Sequence, residues 1–231
     1  MHAAVPLHVR DAPSPNQDGR PEGTPVDMLV LHYTGMRTGK EAIDRLRDPA
    51  AKVSSHYVVE EDGTIFRLVA EDRRAAHAGI SHWRGHAALN GRSIGIEIVN
   101  PGHEWGYRPF PALQMAAVCD LCLDILARHP IPARNVVGHS DISPDRKQDP
   151  GELFDWEGLA ANGVGLWPKA DPPPPPDSET LPLLGAIGYR TDLPLSVLLT
   201  AFQRHWLPQR TDGIADAGTR ARLAAVAALC R

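Results

Sequence analysis

Five consecutive prolines restrict the fold of this chain more than any other stretch of its sequence. Residues 171–176 read Asp-Pro-Pro-Pro-Pro-Pro. Proline fixes φ and has no backbone N–H, so such a run cannot continue a helix or the interior of a sheet, and it favours an extended polyproline II segment. We therefore predict a domain boundary here, with a proline-rich linker over residues 169–177.

The predicted linker divides the 231 residues into two folded parts of unequal size. Residues 22–168 suffice for one medium domain. Residues 178–231 would form a small second domain, whose core is marginal if it folds alone. The start of the chain is polar and rich in proline, without the charged and apolar regions of a secretory signal, and we interpret residues 1–21 as an N-terminal extension.

Composition narrows the class of protein. Hydrophobic residues make up 42% of the chain, which is enough for a real core, and the formal net charge is −4 with both signs mixed. A chain without a basic surface is not expected to bind nucleic acid. The sequence contains no run of 18 apolar residues, so we predict no transmembrane segment.

The three cysteines indicate a cellular compartment rather than a redox or metal-binding site. Cys119 and Cys122 lie three residues apart in a stretch with helical spacing, and we interpret them as small core residues. A redox or metal-binding pair would need a partner pair or a strand–helix context, and the sequence has neither. With Cys230 the count is odd, and the absence of a disulfide framework favours a reducing compartment.

Short apolar runs and alternating patterns predict the strands of the larger part. The run over 27–33 indicates a buried strand that ends at His32, and 93–100 alternates as a strand does. A further short strand is expected over 133–138. Two more flank Glu61-Asp62-Gly63, a strong hairpin signal, within residues 55–69.

Helical spacing occurs over 40–47 and over 110–129, between the predicted strands. Strands interspersed with helices favour an α/β or α+β domain built on one central sheet.

The tail has a different pattern. Residues 181–187 form a short apolar segment closed by a glycine, and a helical stripe follows Pro194, a residue suited to the start of a helix. Asp216 is a plausible N-cap for a helix over 217–229. The tail is therefore predicted to be a small three-helix bundle.

Two histidines and an aspartate form a candidate metal set. His32 ends a predicted strand, His139 follows another, and Asp149 lies ten residues further along a loop. Two imidazoles and one carboxylate suit zinc, and three protein ligands leave a fourth position for water, as in catalytic sites. A single histidine is more often a packing or surface residue, so the hypothesis depends on whether the fold brings the three together.

Two charged residues accompany this set, and each has two interpretations. Glu97 points opposite to its apolar neighbours in the predicted strand, so it is either a solvent-facing glutamate or a general base whose pKa is raised by partial burial. Lys147, two residues before Asp149, is either a surface lysine or a cation that stabilises an oxyanion.

Five motifs follow one another within residues 25–168: His32-Tyr33-Thr34, His77-Ala78-Gly79, Trp83-Arg84-Gly85, Ser93-Ile94-Gly95-Ile96-Glu97 and the segment from Gly138 to Gly151. In this order they resemble the type 2 N-acetylmuramoyl-L-alanine amidases, which are zinc amidases related to bacteriophage T7 lysozyme and animal peptidoglycan recognition proteins. The nearest branch resembles the AmpD and AmiD group.

The resemblance implies an α/β fold with a central mixed β-sheet flanked by helices. It implies one Zn²⁺ per chain, held by His32, His139 and Asp149, with Glu97 as the catalytic carboxylate and Lys147 as the oxyanion-stabilising group. The implied reaction is hydrolysis of the amide between N-acetylmuramic acid, or its 1,6-anhydro form, and L-alanine. The alternatives are a non-catalytic peptidoglycan recognition module and a structural zinc site with four protein ligands.

Further positions match family residues near the cleft. By resemblance, His77, Trp83 and Arg92 are expected to contact sugar or peptide, although structural roles remain open for them. T7-like members carry a catalytic tyrosine just before a hairpin histidine, whereas Ser55 precedes His56 here. The carboxylate must therefore do the work of that tyrosine. Six other histidines are interpreted as packing or surface residues, namely His56, His82, His86, His103, His129 and His205.

The tail over 178–229 resembles the three-helix peptidoglycan-binding domain, through residues 201–206 and 212–223. Peptidoglycan or a muropeptide is therefore the expected partner. A wall-binding tail favours the periplasm or cell envelope, whereas the unpaired cysteines and the lack of a signal favour the cytoplasm. We predict the cytoplasm, with the envelope as the alternative.

Overall fold

A mixed six-stranded sheet organises the protein, which the computed structural model describes from residue 7 to residue 231. In spatial order its strands are β1 (Val9–Asp11), β5 (Ile65–Arg67), β4 (Tyr57–Val59), β9 (Ser93–Ile98), β3 (Met28–Tyr33) and β10 (Val136–Gly138). Neighbours run parallel except β4 and β5, which form the antiparallel hairpin expected around Gly63. This confirms the predicted central mixed sheet.

Two small ribbons accompany this sheet. β2 (Gln17–Gly19) pairs antiparallel with β6 (Arg73–Ala75), and β7 (His82–Trp83) pairs with β8 (His86–Ala87). Because β1 and β2 come from the predicted N-terminal extension, residues 9–19 are part of the folded sheet system.

Helices cover the sheet. The bounds are α1 (Gly39–Arg47), α2 (Gly102–Trp105), α3 (Ala112–Arg128), α4 (His139–Ile142), α5 (Trp156–Ala161), α6 (Thr180–Ile187), α7 (Leu195–Trp206) and α8 (Ala217–Leu229). Thr38 caps α1 and Asp216 caps α8, each through a side-chain oxygen that accepts a backbone N–H. The last three helices form the small bundle predicted for the tail.

One predicted strand is shorter than expected. Residues 133–135 form a 3-10 turn, and β10 begins only at Val136. Pro132 precedes the turn, and proline favours such a start because its φ already suits a helical turn. The apolar pattern over 133–138 therefore predicted a strand that is three residues too long.

The two faces of the sheet pack against different layers. Leu29, Leu31 and the isoleucines of β9 face α3 in one core. Met28 and Val30 point to the opposite face, where they pack against side chains of α7 and α8. The alternation of β-strand side chains explains this division.

The tail therefore shares a core with the larger part of the chain. The buried cluster that holds Met28 and Val30 also contains Leu184, Phe202 and Leu223 of the three tail helices. The proline-rich stretch was expected to act as a spacer between two parts, but it connects two parts that pack directly. A bundle of this size gains apolar burial from such docking, since its own core is small.

Within residues 7–231, no helix is both long enough and apolar enough to span a membrane.

Candidate active site

The candidate ligands meet because three parallel strands end at one edge of the sheet. His32 of β3 pairs in register with Glu97 of β9, and Leu31 pairs with Gly138, the last residue of β10. His139 follows Gly138 directly, so it lies beside His32. Residues in register on neighbouring strands point to the same face, which places His32 and Glu97 on the face away from α3.

The three predicted metal ligands converge in one cluster. His32 Nδ1 is 2.9 Å from His139 Nδ1 and 2.9 Å from Asp149 Oδ2, and His139 Nδ1 is 3.0 Å from the same oxygen. All three residues are buried. Three donor atoms that point at one another in this way are the arrangement expected of a metal site.

The tautomer of His139 suits metal binding. Its Nε2–H donates to the Ala78 carbonyl at 3.2 Å. A neutral imidazole carries one proton, so the bond to a carbonyl, which can only accept, leaves Nδ1 with a free lone pair. Hydrogen bonds of this kind orient histidine ligands in metalloproteins.

The tautomer of His32 is set through a longer relay. Its Nε2–H donates to His77 Nδ1 at 3.0 Å, and His77 Nε2–H donates to Ser93 Oγ at 3.1 Å. Ser93 in turn donates to the Leu89 carbonyl at 2.8 Å. Because that carbonyl can only accept, each donor in the chain is determined, and His32 Nδ1 keeps its lone pair for a metal.

Gly95 makes room for this relay. A Cβ at that position would lie 2.5 Å from His77 Cγ, well inside van der Waals contact. The imidazole of His77 therefore rests directly on the backbone of β9, between Ser93 and His32.

The protonation states agree with a metal site. Burial and the neighbouring His139 lower the pKa of His32 to about 4, so its imidazole is neutral at pH 7. Burial alone would raise the pKa of Asp149, but His139 and His32 outweigh it and hold that pKa well below its usual range. Zinc requires neutral imidazole and ionised carboxylate ligands, and His32 and Asp149 meet this requirement.

The Glu97 side chain is partly exposed, and one of its carboxylate oxygens is buried without a hydrogen-bond partner among the described residues. Burial, and then the negative charge of Asp149, raise its pKa well above the usual range of a glutamate. Its Oε2 has no hydrogen-bond partner within the described residues, while Ile96 and Ile98 on either side are fully buried in the α3 core. The expectation that Glu97 points opposite to these isoleucines is confirmed.

Glu97 and Lys147 line one cleft with the ligand cluster. The cleft has a volume of about 190 Å³, and its walls include His77, His139 and Asp149. Residues of α1 also line the cleft, among them Ala42 and Leu46. A substrate in this cleft would therefore lie between α1 and the loop that follows β10.

The donor set of the cluster fits zinc. Zinc bonds of about 2.0 Å in tetrahedral geometry place ligand atoms roughly 3.3 Å apart, and the observed separations are 2.9–3.0 Å. Widening by a few tenths of an ångström would admit the ion. Within residues 7–231 the cluster comprises three protein ligands, so it lacks the fourth ligand of a structural zinc site.

The structure places the three expected substrate contacts in different surroundings. Trp83 is 3% exposed and packs edge-to-face on Tyr189 of the tail, with 5.1 Å between ring centroids, so it presents no face to a cleft. Arg92 pairs with Asp27, just before the strand that carries His32, at the opposite end from the ligands. His77 does line the cleft, but both of its ring nitrogens are used in the relay.

Sequence reasoning overlooked the supporting residues. Ser93 and Gly95 precede Glu97 at intervals of two, and side chains at such intervals share one face of a strand. That spacing could have placed them on the same face of the strand as Glu97. Their link to His77, which comes from a distant loop, exists only in the folded chain.

Comparison with known proteins places the chain in a family. Residues 22–152 match the family model of N-acetylmuramoyl-L-alanine amidases. The N-acetylmuramoyl-L-alanine amidase AmiD of Escherichia coli K12 is 38% identical over 224 residues, which cover 85% of this chain and 80% of that protein. The 1,6-anhydro-N-acetylmuramyl-L-alanine amidase AmpD of the same organism is 37% identical and covers 64% of this chain and 87% of its own length.

Solved structures agree with the sequence matches. The AmiD structure from E. coli, in complex with anhydro-N-acetylmuramic acid-L-Ala-D-γ-Glu-L-Lys, superposes with a TM-score of 0.79 at 36% identity over 90% of this chain and 91% of AmiD. AmpDh3 from Pseudomonas aeruginosa gives the same TM-score at 34% identity, over 89% of this chain and 92% of its own. The chain therefore belongs to the N-acetylmuramoyl-L-alanine amidase family and is an enzyme of this class, not a non-catalytic recognition module.

Proposed function

We propose that this amidase uses one Zn²⁺, held by His32, His139 and Asp149, to hydrolyse the amide between the lactyl group of N-acetylmuramic acid and L-alanine. The observation that carries the proposal is the convergence of three donor atoms within 3.0 Å of one another, in a cleft also lined by Glu97 and Lys147. Bound zinc would supply Lewis acidity, which polarises the amide carbonyl and acidifies water.

Glu97 acts as the general base in this proposal. A raised pKa makes its carboxylate a stronger base than an ordinary glutamate, and the unpartnered Oε2 is free to take a proton from the attacking water. The same carboxyl then passes that proton to the leaving amine of L-alanine. No tyrosine precedes His56 on the hairpin, so the carboxylate carries this task alone.

Lys147 stabilises the oxyanion. It belongs to the loop between His139 and Asp149, and it lines the same cleft as Glu97. A cation aimed at the carbonyl oxygen favours the tetrahedral state over the planar amide. Loss of one such electrostatic donor typically lowers the rate by roughly 100–1000-fold.

Two substitutions separate metal binding from proton transfer. We expect Glu97→Gln to keep one zinc per chain and to lower kcat by roughly 100–10,000-fold, because the amide cannot accept a proton. We expect His139→Ala to lose both zinc and activity. Metal content would be measured by elemental analysis, and turnover by chromatographic release of the free peptide.

The same assay includes chelator treatment of the wild-type enzyme, followed by return of zinc. Activity that survives complete removal of the metal would contradict the zinc assignment. A Glu97→Gln enzyme with wild-type kcat would contradict the assignment of the base.

The proposed substrate is a muropeptide with an intact L-alanyl amide, in the 1,6-anhydro form. Support comes from the relatives: the AmiD complex holds an anhydro-N-acetylmuramic acid peptide, and AmpD is named for this substrate class. Comparing kcat/KM on soluble anhydromuropeptide with release from intact sacculi tests this preference. Faster cleavage of sacculi would favour cell-wall degradation over recycling.

We propose the cytoplasm as the compartment. Cys119, Cys122 and Cys230 are all free thiols, and burial raises the pKa of Cys122, which keeps it unreactive. Free thiols are typical of a reducing compartment. Cell fractionation with an antibody against the full chain tests this, and recovery in the envelope fraction would contradict it.

The tail is proposed to bind peptidoglycan, as its resemblance to a peptidoglycan-binding domain suggests. Co-sedimentation of the Glu97→Gln enzyme with sacculi would measure this affinity without cleavage. Absence of co-sedimentation under conditions where the enzyme stays folded would contradict the assignment.

A further inference from the structure

A buried carboxylate joins the tail to the loop that carries two of the proposed metal ligands. Asp141 is 1% exposed and lies in α4, two residues after His139. Its carboxylate accepts hydrogen bonds from Tyr189, which follows α6, and from His205 of α7, whose Nδ1 lies 2.7 Å from Oδ2. The tail thus supplies two of the donors that hold Asp141.

The same carboxylate also caps α4. Oδ2 accepts the backbone N–H of Gly138 at 2.8 Å, which secures the first turn of the helix that begins at His139. The next residue, Ser140, donates its backbone N–H to the Asp149 carbonyl at 2.9 Å. A shift of Asp141 would therefore move both ligand-bearing ends of the loop.

The donors from the tail are themselves held in place. His205 is 3% exposed and stacks between Trp156 and Trp206, at ring-centroid distances of 3.8 and 4.0 Å. Tyr189 packs on Trp83, and a Cβ at the preceding Gly188 would lie 2.8 Å from the Trp83 indole. The rings of His205 and Tyr189 are thus held by their aromatic neighbours. They can therefore hold the Asp141 carboxylate in one position through their hydrogen bonds.

We propose that the tail is a structural part of the active site, in which Tyr189 and His205 act as positioning residues for the metal-binding loop through Asp141. This inference rests on the proposed function, because it takes His139 and Asp149 as metal ligands. It assigns the tail a role separate from any affinity for peptidoglycan. Neither positioning residue touches the substrate or the metal.

The test compares full-length variants that change only these hydrogen bonds. Tyr189→Phe removes the hydroxyl and keeps the ring, and His205→Leu removes the donor while filling a similar volume. His205→Asn restores an N–H donor near the position of Nδ1 and serves as the rescue variant. The matched control is Gln203→Leu, which removes buried hydrogen bonds within the tail, to Asp212, Thr219 and Gly213, but none to the loop.

Three experiments are made on each variant: chelator competition for zinc affinity, steady-state kinetics on a muropeptide for kcat and KM, and amide hydrogen exchange of residues 139–149 in the metal-free protein. For the double variant Tyr189→Phe/His205→Leu, we expect zinc affinity and kcat each to fall on the order of tenfold. Losses of this kind are usual when partners that support metal ligands are removed. KM should change little, and exchange in the loop should accelerate.

Gln203→Leu should lower the melting temperature but leave zinc affinity, kcat and loop exchange unchanged. His205→Asn should regain most of the zinc affinity that His205→Leu loses. A double variant that matches Gln203→Leu in zinc affinity and loop exchange would overturn the proposal. If the double variant does not fold, Tyr189→Phe alone tests the proposal. We expect this variant to lose zinc affinity by about threefold. Unchanged zinc affinity and unchanged hydrogen exchange in the loop would overturn the proposal.

Failure of the proposed function gives a different result. A wild-type enzyme that binds zinc but does not cleave muropeptide would refute the amidase chemistry proposed above. Zinc affinity and loop exchange would still report whether Tyr189 and His205 position the loop.

Discussion

At the scale of single residues, the candidate site depends on side chains that support the ligand cluster from behind, such as His77. His77 has both ring nitrogens committed, one to His32 and one to Ser93, and it can occupy this place only because position 95 is glycine. His77, which the family resemblance marks as a possible substrate contact, thus holds the imidazole of His32 by a hydrogen bond. The energetic reason is that a buried imidazole needs partners for both nitrogens.

Gly95→Ala tests this role. The added Cβ would lie 2.5 Å from His77 Cγ, so the imidazole must move and its bond to His32 must lengthen. We expect zinc affinity to fall roughly 10–100-fold, the usual effect of losing a partner of a metal ligand. Chelator competition measures the change.

Gly19→Ala is the matched control, since a Cβ there meets nothing within 4 Å. Its zinc affinity should equal that of the wild type. Equal affinities for the two alanine variants would show that His77 does not orient His32.

At the scale of elements, α3 holds the sheet from the face opposite to the cleft. Its apolar stripe buries Val118, Leu121 and Ile125 against the isoleucines of β9. Gln114, fully buried near the start of the helix, donates to the carbonyls of Val59 and Val99 at 3.1 and 2.8 Å. These bonds link the helix to the ends of two strands, one of which carries Glu97.

Two leucines of α3 give a matched pair for testing this packing. Leu121 is 1% exposed and Leu113 is 70% exposed. We expect Leu121→Ala to lower the free energy of unfolding by about 2–5 kcal/mol, because it leaves a cavity in the core. Leu113→Ala should change it by about 0.5 kcal/mol or less.

Urea unfolding followed by circular dichroism measures both variants. Similar losses for the two would contradict the assignment of the buried face of α3.

At the scale of the whole molecule, Glu71 joins parts of the chain that are far apart in sequence. Its carboxylate accepts hydrogen bonds from Tyr57 of β4, Arg128 at the end of α3 and His129. Burial alone would raise the pKa of Glu71, but these hydrogen bonds outweigh it and lower the pKa from 4.5 to about 2. The ionised carboxylate therefore stabilises the fold above the unfolded-state pKa.

This contribution should disappear in acid. A depressed carboxyl pKa stabilises the fold at pH values above about 4.5, and the stabilisation is lost as pH falls from there toward 2. The difference in free energy of unfolding between wild type and Glu71→Gln should shrink by about 2 kcal/mol between pH 6 and pH 3. Urea titrations across this range measure it, and a difference independent of pH would contradict the pairing.

Much of the molecule was predictable from local patterns. The run over 27–33, the alternation over 93–100 and the Glu61-Asp62-Gly63 turn predicted three of the main features of the sheet, because strand periodicity and turn chemistry are local properties. The start of β10 was missed, since a proline turn shortened an otherwise regular apolar stretch. Trp83 and Arg92 were expected near the cleft from the order of the motifs alone. The order of motifs along a chain does not specify where a side chain points.

Local sequence patterns were sufficient to predict the main strands and helices, the polar residues at strand ends and the family to which they point. The docking of the tail on the sheet across the proline-rich segment appears only in the folded chain, as do the contacts of His77 with His32 and of Asp141 with Tyr189 and His205. The physical reason is that local patterns report which face of an element is apolar. They do not report which distant surface will cover it, and buried polar groups find their partners only once that surface is in place.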